Sequence, residues 1–228
     1  MSATYRPPKQ WSVDRGGTGR LHLVPAIVKG HGRLIKGVYQ TPGKRSPSKY
    51  GYNKGVLYEG MFNNWFGNRL IEKLDRRKVP YYEINPEPED VTLRIRTNRL
   101  NRLYKKDRSI YSFEIHANGG GGQGIEGFTS PGDTTSDIIV ENFLVALEQG
   151  AYSMNNQKMR FDWSDGDRDK EARFWTLVKS HCPAVLFELG FMDNLKDYNN
   201  LWDEEYIDIA TTIIANVMEG MYKNGIKV

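Results

Sequence analysis

The chain has 228 residues and a formal charge of +4, with hydrophobic residues at 39% and aromatics at 12%. That length and apolar content suit one generous domain with a sizeable core. No apolar run approaches the length of a membrane span, and a single cysteine, Cys182, excludes an internal disulfide framework and a cysteine-rich metal site.

Residues 1–23 are polar, with Pro7-Pro8 and Gly16-Gly17, and read as an N-terminal arm with little regular structure. The first residues show no apolar h-region, so no secretory signal is expected. Val24 to Lys29 is a short apolar run that predicts a strand, ending on a histidine between glycines at Gly30-His31-Gly32. From Arg33 to Val56 the composition shifts to Gly, Pro, Ser, Lys and Tyr, which predicts a long loop. It is expected to wall a groove, with Tyr39, Tyr50 and Tyr52 available to stack on a sugar or peptide. Leu57 to Arg77 carries Phe62, Phe66, Leu70 and Leu74 at helical spacing. Glu59 precedes Phe62 by three, so it belongs to the same inward face, where an unpaired carboxylate is costly and a cationic partner is expected.

Val79 to Ile84 predicts a strand, and Pro86 and Pro88 a turn. Glu89 to Lys106 predicts a basic helix with Val91, Ile95 and Leu103 facing inward. The cations Arg94, Arg96, Arg99, Arg102, Lys105, Lys106 and Arg108 read as a solvated helix face, and no nucleic-acid motif accompanies them.

Next comes a run whose Tyr111, Phe113 and Ile115 alternate with Ser112, Glu114 and His116, the period of a strand. It ends on His116 and enters Gly119 to Gly122, where the backbone is free to turn sharply and to be approached closely. Gly124 to Ser130 predicts a further strand. Ser136 is expected to cap a helix running to Gln149, with Gly150 as its stop. Asn155 to Lys170 reads as a loop and Glu171 to Ser180 as a short helix. Ala184 to Gly190 is a near-continuous apolar run, the pattern of a strand covered on both faces, interrupted by Glu188. Glu204 to Tyr222 predicts a closing amphipathic helix. No linker demands a second domain, so residues 24–228 form one unit.

Four residues stand apart: His31 and His116 at strand ends, Glu59 at a helix start and Glu188 in a buried strand. Two neutral imidazoles and one carboxylate suit Zn²⁺ and leave a fourth position for water. A separate carboxylate is then needed to carry the water proton to a leaving amine. These are the components of metal-assisted amide hydrolysis. No His-Glu-x-x-His helix is present, so the ligands must converge from distant positions. His22 and His181 are competing candidates. Cys182 beside His181 is a poor dyad, because neighbours along an extended segment point to opposite faces.

The sequence resembles the zinc-dependent N-acetylmuramoyl-L-alanine amidases of the amidase type 3 family. The matching pieces are Ala26-Ile27-Val28-Lys29-Gly30-His31-Gly32, Tyr58-Glu59, Ile115-His116-Ala117-Asn118, Gly124-Ile125-Glu126, and Pro183 to Asn194 with Phe187-Glu188-Leu189-Gly190-Phe191 at its centre. They keep the family's order across most of residues 24–224. The resemblance implies an α/β fold, a single domain with a central mixed, mostly parallel β-sheet flanked by helices on both faces. It implies that His31, Glu59 and His116 bind Zn²⁺ and that Glu188 is the catalytic acid/base. The substrate it implies is bacterial peptidoglycan, cut at the amide joining N-acetylmuramic acid to L-alanine.

Asn118, Gly119 and Gly120 are the expected substrate contacts, and whether Glu114 and Glu126 stand behind the metal ligands stays open. Val28-Lys29 replace the family's usual aspartate and proline, and Val178 and Lys179 occupy a region that often holds arginine. The segment from Ala117 to Asp137 is too short for the blocking helix of some regulated members. Without a visible export signal or wall-binding repeats, the chain looks like a phage or prophage endolysin. It is then expected to accumulate in the cytoplasm, to need a holin for release, and neither to insert into the membrane nor to bind nucleic acid. The alternatives are a zinc peptidase acting on the stem peptide, a non-catalytic wall-binding module and, more remotely, a basic nucleic-acid binder.

Overall fold

The computed structural model describes residues 20–48, 52–164 and 166–227. Residues 1–19 of the expected arm, and Tyr50, lie outside the described residues. The described residues open with β1 (Arg20–Leu21), β2 (Val24–Lys29), β3 (Leu34–Ile35) and β4 (Val38–Tyr39), followed by α1 (Glu59–Arg77) and β5 (Tyr82–Glu83). Next are α2 (Leu93–Lys106), β6 (Ile110–Asn118), β7 (Glu126–Thr129) and α3 (Thr135–Gly150). The last part holds β8 (Lys170–Glu171), α4 (Trp175–Lys179), β9 (Ala184–Phe191), α5 (Leu195–Leu201), α6 (Glu204–Lys223) and β10 (Ile226–Lys227).

Six strands form one sheet in the order β5-β2-β6-β9-β7-β8. β5, β2, β6 and β9 run parallel, β7 runs antiparallel to β9, and β8 follows β7. The sheet is therefore mixed and mostly parallel, with helices on both faces. In β6, Tyr111, Phe113, Ile115 and Ala117 join the core beneath α1, α3 and α6. Phe113 stacks on Phe187 at 5.1 Å and meets Phe143 at 5.0 Å. The opposite face packs Val24, Ala26 and Val28 against Leu100 and Leu103 of α2, and Ala184 and Leu186 against Leu177 of α4. The alternation in β6 does not separate core from solvent. Ser112 and Glu114 are as buried as their apolar neighbours, because α2 and α4 cover their side too.

α1 buries the expected stripe of Phe62, Phe66, Leu70 and Leu74. α2 departs from expectation. It starts at Leu93, with the Thr92 hydroxyl accepting the Ile95 N–H. Val91 is buried but precedes the helix, so Ile95 does not share its face and is 43% exposed. The inward stripe is Arg96, Leu100 and Leu103. Arg96 tolerates burial because its Nη2 donates to Asp90 at 2.9 Å and its Nε to the Val91 carbonyl at 2.6 Å.

The cap of α3 is Thr134, which forms a capping box with Asp137. Ser136 lies inside the helix, and its hydroxyl accepts the Ala184 N–H at the start of β9. The expected helix over 171–180 shrinks to α4, and the expected strand over 79–84 to β5. Six short elements carried too little pattern to predict: β1, β3, β4, β8, α5 and β10, of which β3 and β4 pair within the expected loop. β1 pairs antiparallel with β10, which ties Arg20 and Leu21 to the C-terminal end.

Candidate metal centre

The site is a row of residues crossing the carboxyl ends of adjacent strands, where α/β sheets collect their ligands. Lys29 pairs with Ile115, so the next step of register sets Gly30 beside His116. A Cβ on Gly30 would lie 2.3 Å from His116 Cε1, so only glycine leaves room for the imidazole. His116 pairs in turn with Glu188 on β9, and Glu188 with Glu126 on β7. His31 follows Gly30 with φ at 62°, a left-handed turn that a non-glycine residue holds only at a cost of about 1–3 kcal/mol.

Glu59, the first residue of α1, is almost fully buried and reaches into this row. Its first turn comes close because Gly60 has no side chain: a Cβ there would sit 1.8 Å from the Gly32 carbonyl oxygen. Glu59 Oε1 lies 2.9 Å from His116 Nδ1 and 3.2 Å from His31 Nε2, and accepts the Ala117 N–H at 3.3 Å. The imidazoles meet edge to face with centroids 5.1 Å apart. One ligand atom from each of His31, Glu59 and His116 falls within 4.8 Å of the others.

The electrostatics suit a cation. Burial raises the Glu59 pKa, but the hydrogen bonds from His116 and His31 outweigh it and hold the carboxyl well below its usual range. Burial pushes the His116 imidazole down, against the pull of Glu59. An ionised carboxylate beside a neutral imidazole is the ligand state that metal binding requires. Two nitrogens and one oxygen can hold a divalent ion with a coordination position to spare.

Glu188 stands at the next position of the row. Its Oε2 is buried with no partner among the described residues. Burial drives its carboxyl well above the carboxylate range, the Glu59 charge adds to this, and the Lys44 ammonium opposes it. Glu126 is engaged: it accepts from Asn118 Nδ2 at 2.7 Å, Arg160 Nε at 2.7 Å and Lys170 Nζ at 2.8 Å. Glu114 lies two residues below His116, accepts the Thr176 hydroxyl at 2.9 Å, and is pushed by burial to about 7.

Of the expected substrate contacts, Asn118 is occupied at both ends of its amide, by Glu126 and by the Gly119 N–H. The Gly120 N–H, with that of Gly121, donates to Asp193 Oδ2. Gly119 lines an open cleft. The rival residues lie elsewhere. His22 bonds the Tyr222 carbonyl at 2.9 Å. His181 and Cys182 precede β9, at the amino end of an inner strand and opposite the end that carries the site, and burial pushes the Cys182 thiol up to about 12. The sequence reading missed Lys44, Arg160, Lys170 and Asp193. All lie in loops or at strand ends without periodicity, so nothing in the pattern singled them out.

Comparison with known proteins identifies the family and the fold. The amidase type 3 family, described as N-acetylmuramoyl-L-alanine amidase, matches residues 26–219. The N-acetylmuramoyl-L-alanine amidase CwlM of Bacillus licheniformis is 32% identical over 133 residues. That match covers 56% of this chain and 45% of the relative, so the chain spans less than half of that relative's length. Among solved structures, an N-acetylmuramoyl-L-alanine amidase from Clostridium difficile 630 superposes with a TM-score of 0.65 at 19% identity, covering 88% of this chain and 97% of its own. The catalytic domain of CwlV from Bacillus (Paenibacillus) polymyxa var. colistinus gives 0.63 at 19%, covering 90% and 99%. These two likenesses establish the fold.

Proposed function

The chain belongs to the N-acetylmuramoyl-L-alanine amidase family, and from that premise we propose that it hydrolyses the amide between N-acetylmuramic acid and L-alanine in bacterial peptidoglycan. The observation that carries the reading is the convergence of His31, Glu59 and His116 on one point, with the unpartnered carboxyl of Glu188 one strand away. In this reading His31, Glu59 and His116 hold Zn²⁺. Zinc, when bound, polarises the scissile carbonyl and brings the pKa of a coordinated water to about 7.

The remaining steps fall to the chain itself. Glu59 supplies the negative charge of the ligand set, and the Ala117 N–H fixes the rotamer of its carboxylate. Glu188 Oε2 accepts the proton of the attacking water and returns it to the L-alanine nitrogen as the carbon–nitrogen bond breaks. Burial is the main cause of the raised Glu188 carboxyl, and a cation held by Glu59 would offset only the smaller like-charge contribution. Glu126 is engaged by Arg160 and Lys170, and its charge adds only a minor part of the rise at Glu188. The products are the lactyl carboxylate of the sugar and a stem peptide with a free L-alanine amine.

Digestion of purified peptidoglycan tests the reading. The expected product has a new amino-terminal alanine, and a chelator abolishes its appearance. A new amino terminus inside the stem would make the protein a zinc peptidase instead. Binding without any cleavage by the metal-loaded protein would leave only a wall-binding module. A lysis role, with accumulation inside the producing cell and release through a holin pore, extends the same reading. Producing cells then stay intact until their membrane is opened, and lysis behind an intact membrane would count against it.

A further inference from the structure

Beside the metal row lies a cleft of about 600 Å³, lined by Arg45, Ser46, Gly119, Met192 and Asp193 among others. Its lining reaches Gly119, just past the end of β6 and three residues after His116. Its walls are fixed. The Ser46 N–H donates to the Leu57 carbonyl, the Ser46 hydroxyl accepts the Leu57 N–H, and the Glu59 N–H donates to the Lys44 carbonyl. Residues 44–46 are thereby bridged to the entry of α1, with Arg45 opposite Tyr58, one residue before Glu59. On the other side, Asp193 takes the Gly120 and Gly121 N–H groups, and its carbonyl accepts the Tyr52 hydroxyl.

None of the cations of this loop forms an ion pair among the described residues, and Lys44 and Arg45 are the two nearest the site. The Lys44 charge is felt by Glu188, and Arg45 lines the cleft. Arg96 and Arg99, by contrast, are paired with Asp90 and Glu87. Asp193 does not neutralise Arg45, because Asp193 Oδ2 is turned to the glycine N–H groups and its Oδ1 is buried. Arg45 is exposed, but its backbone is bridged to the entry of α1, and an unpaired guanidinium placed there is a fork for a carboxylate.

We infer that Arg45 forms a carboxylate subsite of this enzyme, recognising a free carboxylate of the stem peptide beyond its first alanine. The inference rests on the amidase reading, since it names what the cleft holds while that amide is cut. The peptide lies across Gly119 with its acidic residue against Arg45, and Arg45 thereby selects a substrate with a free carboxylate over its amidated counterpart.

The test uses two synthetic muramoyl peptides that differ only in whether the carboxyl of the second residue is free or amidated. The zinc-loaded protein is compared with Arg45→Gln, Arg45→Lys and Arg76→Gln, the last removing an equal charge from an exposed position at the far end of α1. The wild-type protein and Arg76→Gln should show a KM about tenfold lower for the free acid, the size expected of one charge-assisted bidentate contact. Arg45→Gln should lose that difference, and Arg45→Lys should keep part of it. Equal KM for both substrates in the wild type, or an undiminished preference in Arg45→Gln, would overturn the subsite. Calorimetric binding of the two product peptides reads the cleft without turnover. If the acid peptide binds through Arg45 while neither substrate is cleaved, the amidase reading fails and the subsite stands.

Discussion

In the proposed mechanism Glu188 and the three candidate ligands divide their labour, and single substitutions separate them. Glu188→Gln should keep equimolar zinc and lower kcat by about 10²- to 10⁴-fold, the usual contribution of a positioned acid/base. His116→Ala should lose both zinc and turnover. Elemental analysis beside a turnover assay checks the pair, and wild-type kcat in Glu188→Gln would reassign the acid/base. Glu114 makes a different prediction, about stability. Its carboxyl sits at about 7 in the fold against the usual 4.5, because it is wholly buried. Below 4.5 both folded and unfolded chains hold the proton. Between 4.5 and 7 only the folded chain still holds it, so stability falls as pH rises, and above 7 the loss is complete. The full effect is at most about 3 kcal/mol. Glu114→Gln should therefore be more stable than the wild type at pH 8.5 but not at pH 4, as denaturant unfolding at both values would measure. A constant difference at the two pH values would mean that Glu114 does not titrate in this window.

At the scale of elements, the site depends on how closely α1 approaches the turn after β2. Gly60 is the contact point. Replacing glycine by alanine inside a helix ordinarily stabilises by about 1 kcal/mol. Here the added Cβ would meet the Gly32 carbonyl oxygen at 1.8 Å, and backbone must move. Gly60→Ala should be destabilised by about 1–3 kcal/mol, the usual cost of overpacking, and should bind zinc more weakly because Glu59 moves with the helix. Denaturant unfolding together with a zinc titration reads both effects. A more stable Gly60→Ala would show that propensity outweighs packing at this point. α5 shows the opposite relation of sequence to structure. At seven residues it is too short for periodicity, yet its buried Asp197 accepts the N–H groups of Gly124 and Phe191 and joins the entry of β7 to the end of β9.

For the whole molecule, the three ligands come from the β2 turn, the start of α1 and the end of β6, so one ion would cross-tie three parts of the chain. Zinc at 100 times its dissociation constant should then stabilise the fold by about 2.7 kcal/mol, and a chelator should return Tm to the metal-free value. A Tm indifferent to both would remove His31, Glu59 and His116 from the role of metal ligands. Charge at this scale is less concentrated than the sequence suggests. Arg96 and Arg99 of the basic helix are paired with Asp90 and Glu87, leaving a thinner exposed stripe than seven clustered cations imply. Among the described residues no helix is long and apolar enough to cross a membrane.

The sequence by itself determined the long elements and singled out four residues that the sheet and α1 bring together. α1, β2, β6, β9 and α6 are legible because each buries many residues of one periodicity, and periodicity survives without knowledge of neighbours. His31, Glu59, His116 and Glu188 were legible because each interrupts an apolar run or ends one beside glycine, where a polar side chain must have a partner. The tertiary structure alone decided the phase of α2, the burial of Ser112, Glu114 and Arg96, and the cap at Thr134. It also decided the engagement of Glu126 by Arg160 and Lys170, and the position of Arg45 in the cleft. All of these depend on which surfaces meet, and on a strand register in which one step sets Gly30, His116, Glu188 and Glu126 in a single row. Contacts between distant residues leave no period in the chain, so only the assembled sheet and its loops could fix them.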